Sequence, residues 1–171
     1  MRAGRSVVRL FDGVPSAFAA LATHPRLAAT RVGLASSTRQ PHYADAVLRH
    51  MRLDPADAAS TLGSRVAFRE IYPSACPTRA RPARDIHAAA AVHNKKAHFD
   101  KLRAKSGVSF DGMLFFDDCN WSDNCGEVMR QCPGVVGLAT PDGLTAERFA
   151  AGLKAFARAS KLRRDRAARA A

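Results

Sequence analysis

The chain has 171 residues, 47% of them hydrophobic, and a formal net charge of +12 at pH 7. This length accommodates one domain with a hydrophobic core, and the composition excludes a disordered protein. No apolar run is long enough to span a bilayer, so the sequence predicts no membrane partner.

The positive charge is concentrated in two basic runs, one between Arg79 and Arg84 and one from Arg158 to Arg169. Runs of this kind are typical of solvated or disordered segments. Neither run carries the aromatic residues or the recognition-helix pattern of a nucleic-acid-binding module, so no specific nucleic-acid partner is predicted. We expect a domain at residues 1–157 with a low-complexity insertion at 74–92, followed by a basic tail at 158–171.

The chain has four cysteines, Cys76, Cys119, Cys125 and Cys132, and the C-x5-C-x6-C spacing of the last three matches no common zinc site. The N-terminus lacks the apolar core of a secretory signal, although its Arg- and Ala-rich composition resembles an organelle transit peptide. We therefore expect reduced thiols in a cytoplasmic protein, with organelle targeting as the alternative.

The first part of the chain alternates short apolar runs with helical patterns. Residues 7–11 predict a strand that ends at a turn, and residues 14–23 predict a helix with an early proline. A second buried strand is expected at 31–35 and a second helix at 41–51. A run of three hydroxyl residues at 36–38 connects them.

These hydroxyl residues, Ser36, Ser37 and Thr38, are expected to form a loop at the carboxyl end of the second strand. Hydroxyl groups and the backbone N–H groups at a helix start suit an anion such as phosphate. The alternative interpretation is ordinary helix capping by a Ser or Thr side chain.

The middle of the chain predicts a loop at 54–64, a strand at 66–72 and a helix at 95–105. The strand follows from alternating apolar residues. The helix places Phe99 and Leu102 on its inward face.

Lys95 and Lys96 lie at the start of that helix, where the helix dipole disfavours a positive charge. Their position therefore requires another reason. One interpretation is that one of the two lysines reaches a phosphate, and the alternative is that both are solvated.

The apolar run 113–116 predicts a buried strand, and Asp117 and Asp118 follow it directly. Ionised carboxylates are costly to bury unless they are paired or bound to a cation. At the carboxyl end of a parallel strand, two carboxylates are a suitable site for Mg²⁺. The alternative is an Asp-rich turn in which residues 118–120 cap the next helix.

The last part of the chain predicts a helix at 122–131, a strand at 135–139 and a helix that starts near Thr145. An apolar stripe faces the core from this last helix: Phe149, Leu153 and Phe156. Beyond Ser160 we expect a frayed extension. Strands that alternate with helices predict an α/β fold with a doubly wound parallel sheet.

Taken together, these segments resemble the magnesium-dependent phosphatase family, of acid phosphatase type, in the haloacid dehalogenase (HAD-like) superfamily. The residues that carry the resemblance are Val14-Pro15, Ala35-Ser36-Ser37-Thr38, Arg69-Glu70-Ile71-Tyr72-Pro73, Lys95-Lys96-Ala97-His98-Phe99 and Gly107-Val108 through Phe115-Phe116-Asp117-Asp118, with Asp142-Gly143 and the Phe149-to-Phe156 helix. The resemblance implies a three-layer α/β/α Rossmannoid fold and hydrolysis of phosphomonoesters.

The resemblance also implies roles for individual residues. Ser36 would hydrogen-bond the transferring phosphoryl group, with Ser37 beside it in a position that the family often fills with arginine. Lys95, or Lys96 as the alternative, would neutralise charge there. Asp117 and Asp118 would hold or orient Mg²⁺. These groups would then meet at one rim of the sheet.

The family's nucleophile motif, Asp-x-Asp-x-Thr, does not occur in the chain. Its first strand, normally central in the sheet, is therefore expected to be missing or replaced, with residues 7–11 as a possible substitute. Asp12 is the nearest candidate nucleophile, but the segment around it matches the family downstream of that motif. A fragment of an enzyme and a true pseudoenzyme both fit this pattern.

The sequence is compatible with three functions. The first is a Mg²⁺-dependent phosphatase acting on aryl, protein-tyrosine or sugar phosphates through an aspartyl-phosphate. The second is a catalytically inactive protein that binds a phosphorylated partner, and the third is a basic nucleic-acid-binding module. The first predicts a phosphorylated small molecule or phosphoprotein as substrate, and we expect a monomer.

Overall fold

The computed structural model describes residues 2–3, 6–38, 40–73 and 95–170, so the predicted insertion at 74–92 and Cys76 lie outside the described residues. The strands are β1 (Arg2–Ala3), β2 (Ser6–Val7), β3 (Val32–Thr38), β4 (Val66–Pro73), β5 (Leu114–Asp117) and β6 (Val136–Ala139). The α-helices are α1 (Gly13–Thr23), α2 (Pro41–His50), α3 (Leu62–Arg65), α4 (Lys95–Ser106), α5 (Asn124–Gln131) and α6 (Ala146–Ala170).

The described strands form three two-stranded sheets. Strands β1 and β2 are antiparallel, whereas β3 pairs with β4, and β5 with β6, in parallel. Parallel pairs that are connected through helices confirm the prediction of an α/β fold. A single doubly wound sheet of three-layer α/β/α type that includes both parallel pairs stays a prediction.

The chain divides into two compact units, one with Met1–Leu10 and Ala20–Gly107, the other with Phe11–Ala19 and Val108–Ala171. Each unit has its own buried apolar residues. In the first unit these are Leu48, Met51, Phe99 and Leu102, and in the second Ala17, Phe115, Cys125, Val128, Cys132 and Val135. The inward positions predicted for Phe99 and Leu102 are confirmed.

The predicted strand at residues 7–11 is wrong in extent. The β-structure ends at Val7 in the short hairpin with Arg2–Ala3. The residues that follow lead into α1, where the Val14 N–H donates to the Phe11 carbonyl at 2.9 Å. An apolar run becomes a strand only where a neighbouring strand provides a ladder, which the composition of the run does not reveal.

The predicted hydroxyl loop is also wrong, because residues 36–38 belong to strand β3. Strand β4 continues to Pro73, and each of the three hydroxyl residues is paired in register with it: Ser36 with Ile71, Ser37 with Tyr72 and Thr38 with Pro73. The partner strand therefore extends β3 beyond its apolar run. Similarly, the predicted loop at 54–64 contains the start of α3, which the Thr61 side chain caps through the Ser64 N–H.

The expectation of a frayed extension beyond Ser160 is wrong, since α6 continues to Ala170. Arg163 bonds the carbonyl oxygens of Asp111 at 2.7 Å and Gly134 at 3.3 Å, which fixes the helix beyond the predicted end of the domain. Alanine and arginine are strong helix formers, so the basic composition does not oppose the helix. The proposed domain boundary at residue 157 remains a prediction.

Glycine residues end or pack several of these elements. Gly107, with φ +70°, follows α4 in the left-handed conformation that only glycine adopts readily, which is a common way for a helix to end. Gly152 is buried in α6, where a Cβ would overlap the ring of Phe116. None of the helices among the described residues has the length and apolarity needed to cross a membrane.

Candidate functional site

In the first unit, strand β4 presents two polar residues to helix α4. Glu70 and Tyr72 are separated by one residue, so their side chains lie on the same face of the strand. The Tyr72 hydroxyl donates to Glu70 Oε2 at 2.5 Å, and Lys105 of α4 lies 2.5 Å from Glu70 Oε1. Glu70 is only 3% exposed. A buried carboxylate is therefore shared between the strand and the helix.

The environment fixes the protonation of this pair. Burial favours the neutral form of Glu70, but the hydrogen bonds from Lys105 and Tyr72 outweigh it and hold the pKa of Glu70 below its ordinary value. Burial, together with the hydrogen bond and the negative charge of Glu70, raises the pKa of Tyr72 to about 12. At neutral pH Glu70 is ionised and Tyr72 keeps its proton.

His98 of α4 contacts both β4 and β3. Its ring is buried and lies 4.3 Å from the ring of Tyr72, measured between centroids. His98 Nε2 is 3.1 Å from the carbonyl oxygen of Ser36. A carbonyl only accepts, so Nε2 carries the proton and donates it. Helix α4 is thus bonded to both strands of the parallel pair.

The two lysines at the start of α4 lie in different environments. Lys95 is 7% exposed, and its Nζ donates to the carbonyl oxygen of Ala35 at 2.8 Å. Lys96 has a side chain that is 44% exposed and pairs with Asp100 at 2.5 Å. The ammonium group of Lys95 therefore lies beside the hydroxyl end of β3, while that of Lys96 lies on the surface.

The spacing of the buried residues in α4 could have distinguished the two lysines. The helix buries Lys95, His98, Phe99 and Leu102, which follow the i, i+3, i+4, i+7 pattern of one helix face. Lys96 lies outside this pattern. The binding of a phosphate by Lys95 stays a prediction.

The three hydroxyl residues of β3 differ in what they bond. Thr38 Oγ1 accepts from the backbone N–H of Gln40 at 3.1 Å, a local turn bond before α2. The hydroxyl of Ser37 is buried and has no hydrogen-bond partner within the part of the chain that the structure describes. The Thr38 hydroxyl is therefore used in a turn, and the N-cap residue of α2, Gln40, makes no side-chain cap bond, whereas Ser37 buries a polar atom at a cost.

In the second unit, Asp117 is the last residue of β5, and its carboxylate is held by two donors. Asp117 Oδ1 accepts from the backbone N–H of Cys119 at 2.9 Å and from Asn124 Nδ2 at 2.8 Å. Asp118 is exposed, and its Oδ1 accepts from the Asn120 N–H at 3.3 Å. The chain turns sharply between them and α5, because Cys119 has a left-handed φ of 54°.

Helix α5 is capped by Asp123, whose Oδ1 accepts from the Gly126 N–H at 2.8 Å. The Asp-rich turn of the alternative interpretation is confirmed, because Asp117 and Asp118 each accept a backbone N–H within it, whereas the expected capping of the helix by residues 118–120 is wrong.

Two carboxylates are suitable ligands for Mg²⁺, which is commonly held by one or two carboxylates together with water and substrate phosphate. Within the described ranges, no group of three or more His, Cys, Asp or Glu side chains is arranged to hold a metal ion. Cys119, Cys125 and Cys132 are thiols rather than disulfides, as predicted. Burial, with the nearby Cys119 thiol and Asp117, raises the pKa of Cys125 to about 12, so Cys125 is a poor metal ligand.

The structure thus brings Lys95 to the strand that carries Ser36 and Ser37, all in the first unit. Asp117 and Asp118 lie in the second unit. That these two groups meet at one rim stays a prediction. The sequence interpretation assigned no role to the residues that position these groups, namely Glu70, Tyr72, His98 and Asn124, although the alternation of β4 already placed two of them on one face.

Comparison with known protein families gives one finding. Residues 2–159 match the family model described as Acid Phosphatase. The match covers both units and nearly all of the chain, including every candidate site residue.

Proposed function

Because the chain belongs to the acid phosphatase family, we propose that it binds phosphomonoesters as a Mg²⁺-dependent, HAD-like phosphohydrolase. The substrates would be aryl, protein-tyrosine or sugar phosphates. The observation that best supports this function is the burial of Lys95 against β3. Lys95 is 7% exposed and donates to the strand of Ser36, so its ammonium group is held beside the hydroxyl residues that would bind a phosphate.

We assign each group the part that its chemistry allows. Lys95 and the hydroxyls of Ser36 and Ser37 bind the phosphoryl oxygens, since phosphoryl transfer depends mainly on positioning and on neutralising charge. Asp117 and Asp118 would hold Mg²⁺, which, when bound, would supply further positive charge to the phosphoryl group. Asn124 fixes the direction of the Asp117 carboxylate through its 2.8 Å bond.

The chain lacks the usual segment that carries the nucleophile. An aspartyl-phosphate requires a carboxylate placed in line with the phosphorus, and no Asp-x-Asp-x-Thr segment is present. We therefore propose that these 171 residues bind phosphate and Mg²⁺, and that they hydrolyse a phosphomonoester only when a strand with the nucleophile is supplied to them. Mg²⁺-dependent hydrolysis of p-nitrophenyl phosphate that Asp12→Asn abolishes would overturn this assignment.

Calorimetric titration with inorganic phosphate in the presence of Mg²⁺ tests the binding residues. Lys95→Ala should weaken phosphate binding about tenfold or more, since hydrogen bonds to charged groups are worth about 1.5–3 kcal/mol. Lys96→Ala is the matched control, because Lys96 is paired with Asp100 on the surface. Equal effects of the two substitutions would refute the role of Lys95.

A double-mutant cycle tests whether the two groups of residues serve one ligand. If Lys95 and Asp117 act on the same phosphate and metal, Lys95→Ala and Asp117→Asn should be non-additive in their effect on phosphate affinity. Additive losses would show that the two residues act on separate ligands. Far-UV circular dichroism of each variant confirms that it is folded.

The second candidate is a catalytically inactive phosphate-binding protein, favoured by the absence of the nucleophile motif. It predicts the same phosphate binding but no gain of activity when a peptide strand that contains Asp-x-Asp-x-Thr is added. Turnover restored by that peptide, and lost again in Lys95→Ala, would favour the enzyme.

A further inference from the structure

Helix α6 carries a basic segment from Lys154 to Arg169, which the proposed function does not use. Asp165 is the one acidic residue of this segment. The basic side chains that are exposed are Lys154, Arg158, Lys161, Arg164, Arg166 and Arg169. Like charges three or four residues apart, such as Lys154 and Arg158, destabilise a helix. A polyanion bound to this segment would relieve that repulsion.

The basic segment has an inner and an outer side. Arg163 marks the inner side, because it bonds the carbonyl oxygens of Asp111 and Gly134. At about 100° per residue, Lys154 and Lys161 lie about 160–180° around the helix from Arg163. The charge therefore forms one solvent-facing surface, which the bonds of Arg163 hold away from the core of the second unit.

The last turns of α6 stand clear of the rest of the second unit, because every residue from 164 to 170 is exposed. Arg164 and Arg166 lie about 160° apart around the helix, on opposite flanks. Neither they nor Arg169 make an ion pair or hydrogen bond with another residue in the described part of the chain. Between and beyond these arginines the side chains are Asp165 and alanines. This part of α6 is therefore a narrow rod with arginines on both flanks.

We propose that the basic segment of α6 is a docking surface for double-stranded DNA, which it contacts through the phosphates without reading the sequence. This inference goes beyond the proposed function and does not rest on it. The major groove of DNA is about 12 Å wide and admits an α-helix, with a phosphate backbone along each side. Arg164 and Arg166 would each face one of these backbones. Arginine suits this role, since its guanidinium group binds phosphate through two parallel hydrogen bonds.

The same segment fits other polyanions less well. A helix that binds a membrane surface buries an apolar face in the lipid, but the apolar side of α6 packs within the unit, where the rings of Phe149 and Phe116 are 6.1 Å apart. A flat bilayer would also face only one flank of the helix. Single strands bind by stacking on aromatic rings, and residues 157–170 contain none. The major groove of double-stranded RNA is too narrow for such a helix.

Fluorescence anisotropy of a labelled DNA duplex of mixed sequence, titrated with the whole chain, tests the docking surface. The logarithm of the binding constant should fall linearly with the logarithm of the salt concentration between about 50 and 200 mM, with a slope of about −0.9 for each phosphate contacted. Replacing Arg164, Arg166 and Arg169 together by glutamine should weaken binding at least tenfold at low salt. It should also make the slope about 2–3 units shallower, since three contacts are lost.

The matched control replaces Arg26, Arg49 and Arg65 by glutamine, which removes the same charge from exposed positions of the first unit. This variant should keep the slope and most of the affinity. Glutamine is a strong helix former, so α6 should persist in the first variant, and far-UV circular dichroism checks this. Equal losses in the two variants would show that binding follows net charge, and would overturn the role of α6.

Three further outcomes would also overturn the proposal. They are no binding to the duplex at about 50 mM salt, equally tight binding to the single strand, and equally tight binding to vesicles that contain phosphatidylserine. The failure of the proposed function is measured separately, by the titration with inorganic phosphate and Mg²⁺. The glutamine variant of α6 should bind inorganic phosphate as the unmodified chain does, because Lys95, Ser36 and Ser37 are unchanged in it.

Discussion

Replacing Tyr72 with phenylalanine removes one hydroxyl from the contacts that hold α4 on β4. That hydroxyl donates to the buried carboxylate of Glu70 at 2.5 Å. A hydrogen bond to a charged group contributes about 1.5–3 kcal/mol to stability. The ring remains in Tyr72→Phe, so its contact with His98 is kept and the change isolates the hydrogen bond.

The pKa of Tyr72 gives a second way to obtain the free energy that this hydrogen bond contributes. A rise from 10.0 to about 12 corresponds to about 2.7 kcal/mol in favour of the protonated hydroxyl, at 1.36 kcal/mol for each pKa unit. Burial is the largest cause of this rise, ahead of the hydrogen bond and the negative charge of Glu70, so about 2.7 kcal/mol is an upper bound for the bond. We expect Tyr72→Phe to lower the free energy of unfolding by about 2 kcal/mol at pH 7.

Urea unfolding followed by far-UV circular dichroism measures this loss. Tryptophan fluorescence is unsuitable, because Trp121 is already exposed in the folded protein. Tyr43→Phe is the matched control, since Tyr43 is the only other tyrosine and is 53% exposed. A Tyr72→Phe variant as stable as the Tyr43→Phe variant would refute the role assigned to the bond with Glu70.

The pH dependence supplies an independent check. The folded-state pKa of Tyr72 lies above its ordinary value, so its stabilisation is complete below about pH 10 and is lost as the pH rises towards 12. The difference between wild type and Tyr72→Phe should therefore shrink over that range. For Glu70 the pKa is lowered, so its contribution is present above the ordinary pKa and lost as the pH falls below it.

The remaining predictions concern the second unit. Gly152→Ala should lower the free energy of unfolding by about 1–3 kcal/mol in thermal or urea unfolding, because the added methyl group overlaps the ring of Phe116. Iodoacetamide at pH 7 should label the partly exposed Cys119 but not the buried Cys125, whose pKa is about 12, as mass spectrometry of the folded protein would show. Arg163→Ala should lower stability by about 1–2 kcal/mol and reduce helix content, since two backbone carbonyls lose their donor.

Each of these predictions has a control and a contrary outcome. Gly107→Ala introduces backbone strain at positive φ but no overlap, so it should cost less than Gly152→Ala, and the reverse order would contradict the packing argument. Labelling of Cys125 as fast as Cys119 would show that its burial is wrong. Arg166→Ala, at an exposed position of the same helix, should leave stability unchanged, and equal losses in both arginine variants would remove the anchoring role of Arg163.

The sequence predicted the parts of the fold that depend on local periodicity. The alternation of residues 66–72 gave strand β4, and the helical spacing from Lys95 onwards gave α4 with its inward face. Asp117 and Asp118 were correctly placed at the end of a parallel strand. In each case, the pattern of residues along the chain and the burial of their side chains follow from the same cause, the face of the element that packs inward.

The errors arose where a distant partner decides the outcome. Strand β3 includes Ser36 and Ser37 because β4 provides a ladder there, and α6 continues past Ser160 while Arg163 bonds to carbonyls far away in sequence. The role of Glu70 also depends on Lys105, which lies on another element. Such pairings are set by the folded chain and leave no periodic signal.

Cys119 directly follows the two carboxylates, and its left-handed backbone conformation costs free energy. A non-glycine residue in this conformation is less stable by about 1–2 kcal/mol. Glycine at this position would relieve that cost but would also loosen the turn whose N–H holds Asp117 Oδ1. The stability of the fold and the fixed direction of the Asp117 carboxylate therefore place opposite requirements on residue 119. Cysteine at this position lowers the stability and keeps the carboxylate in place.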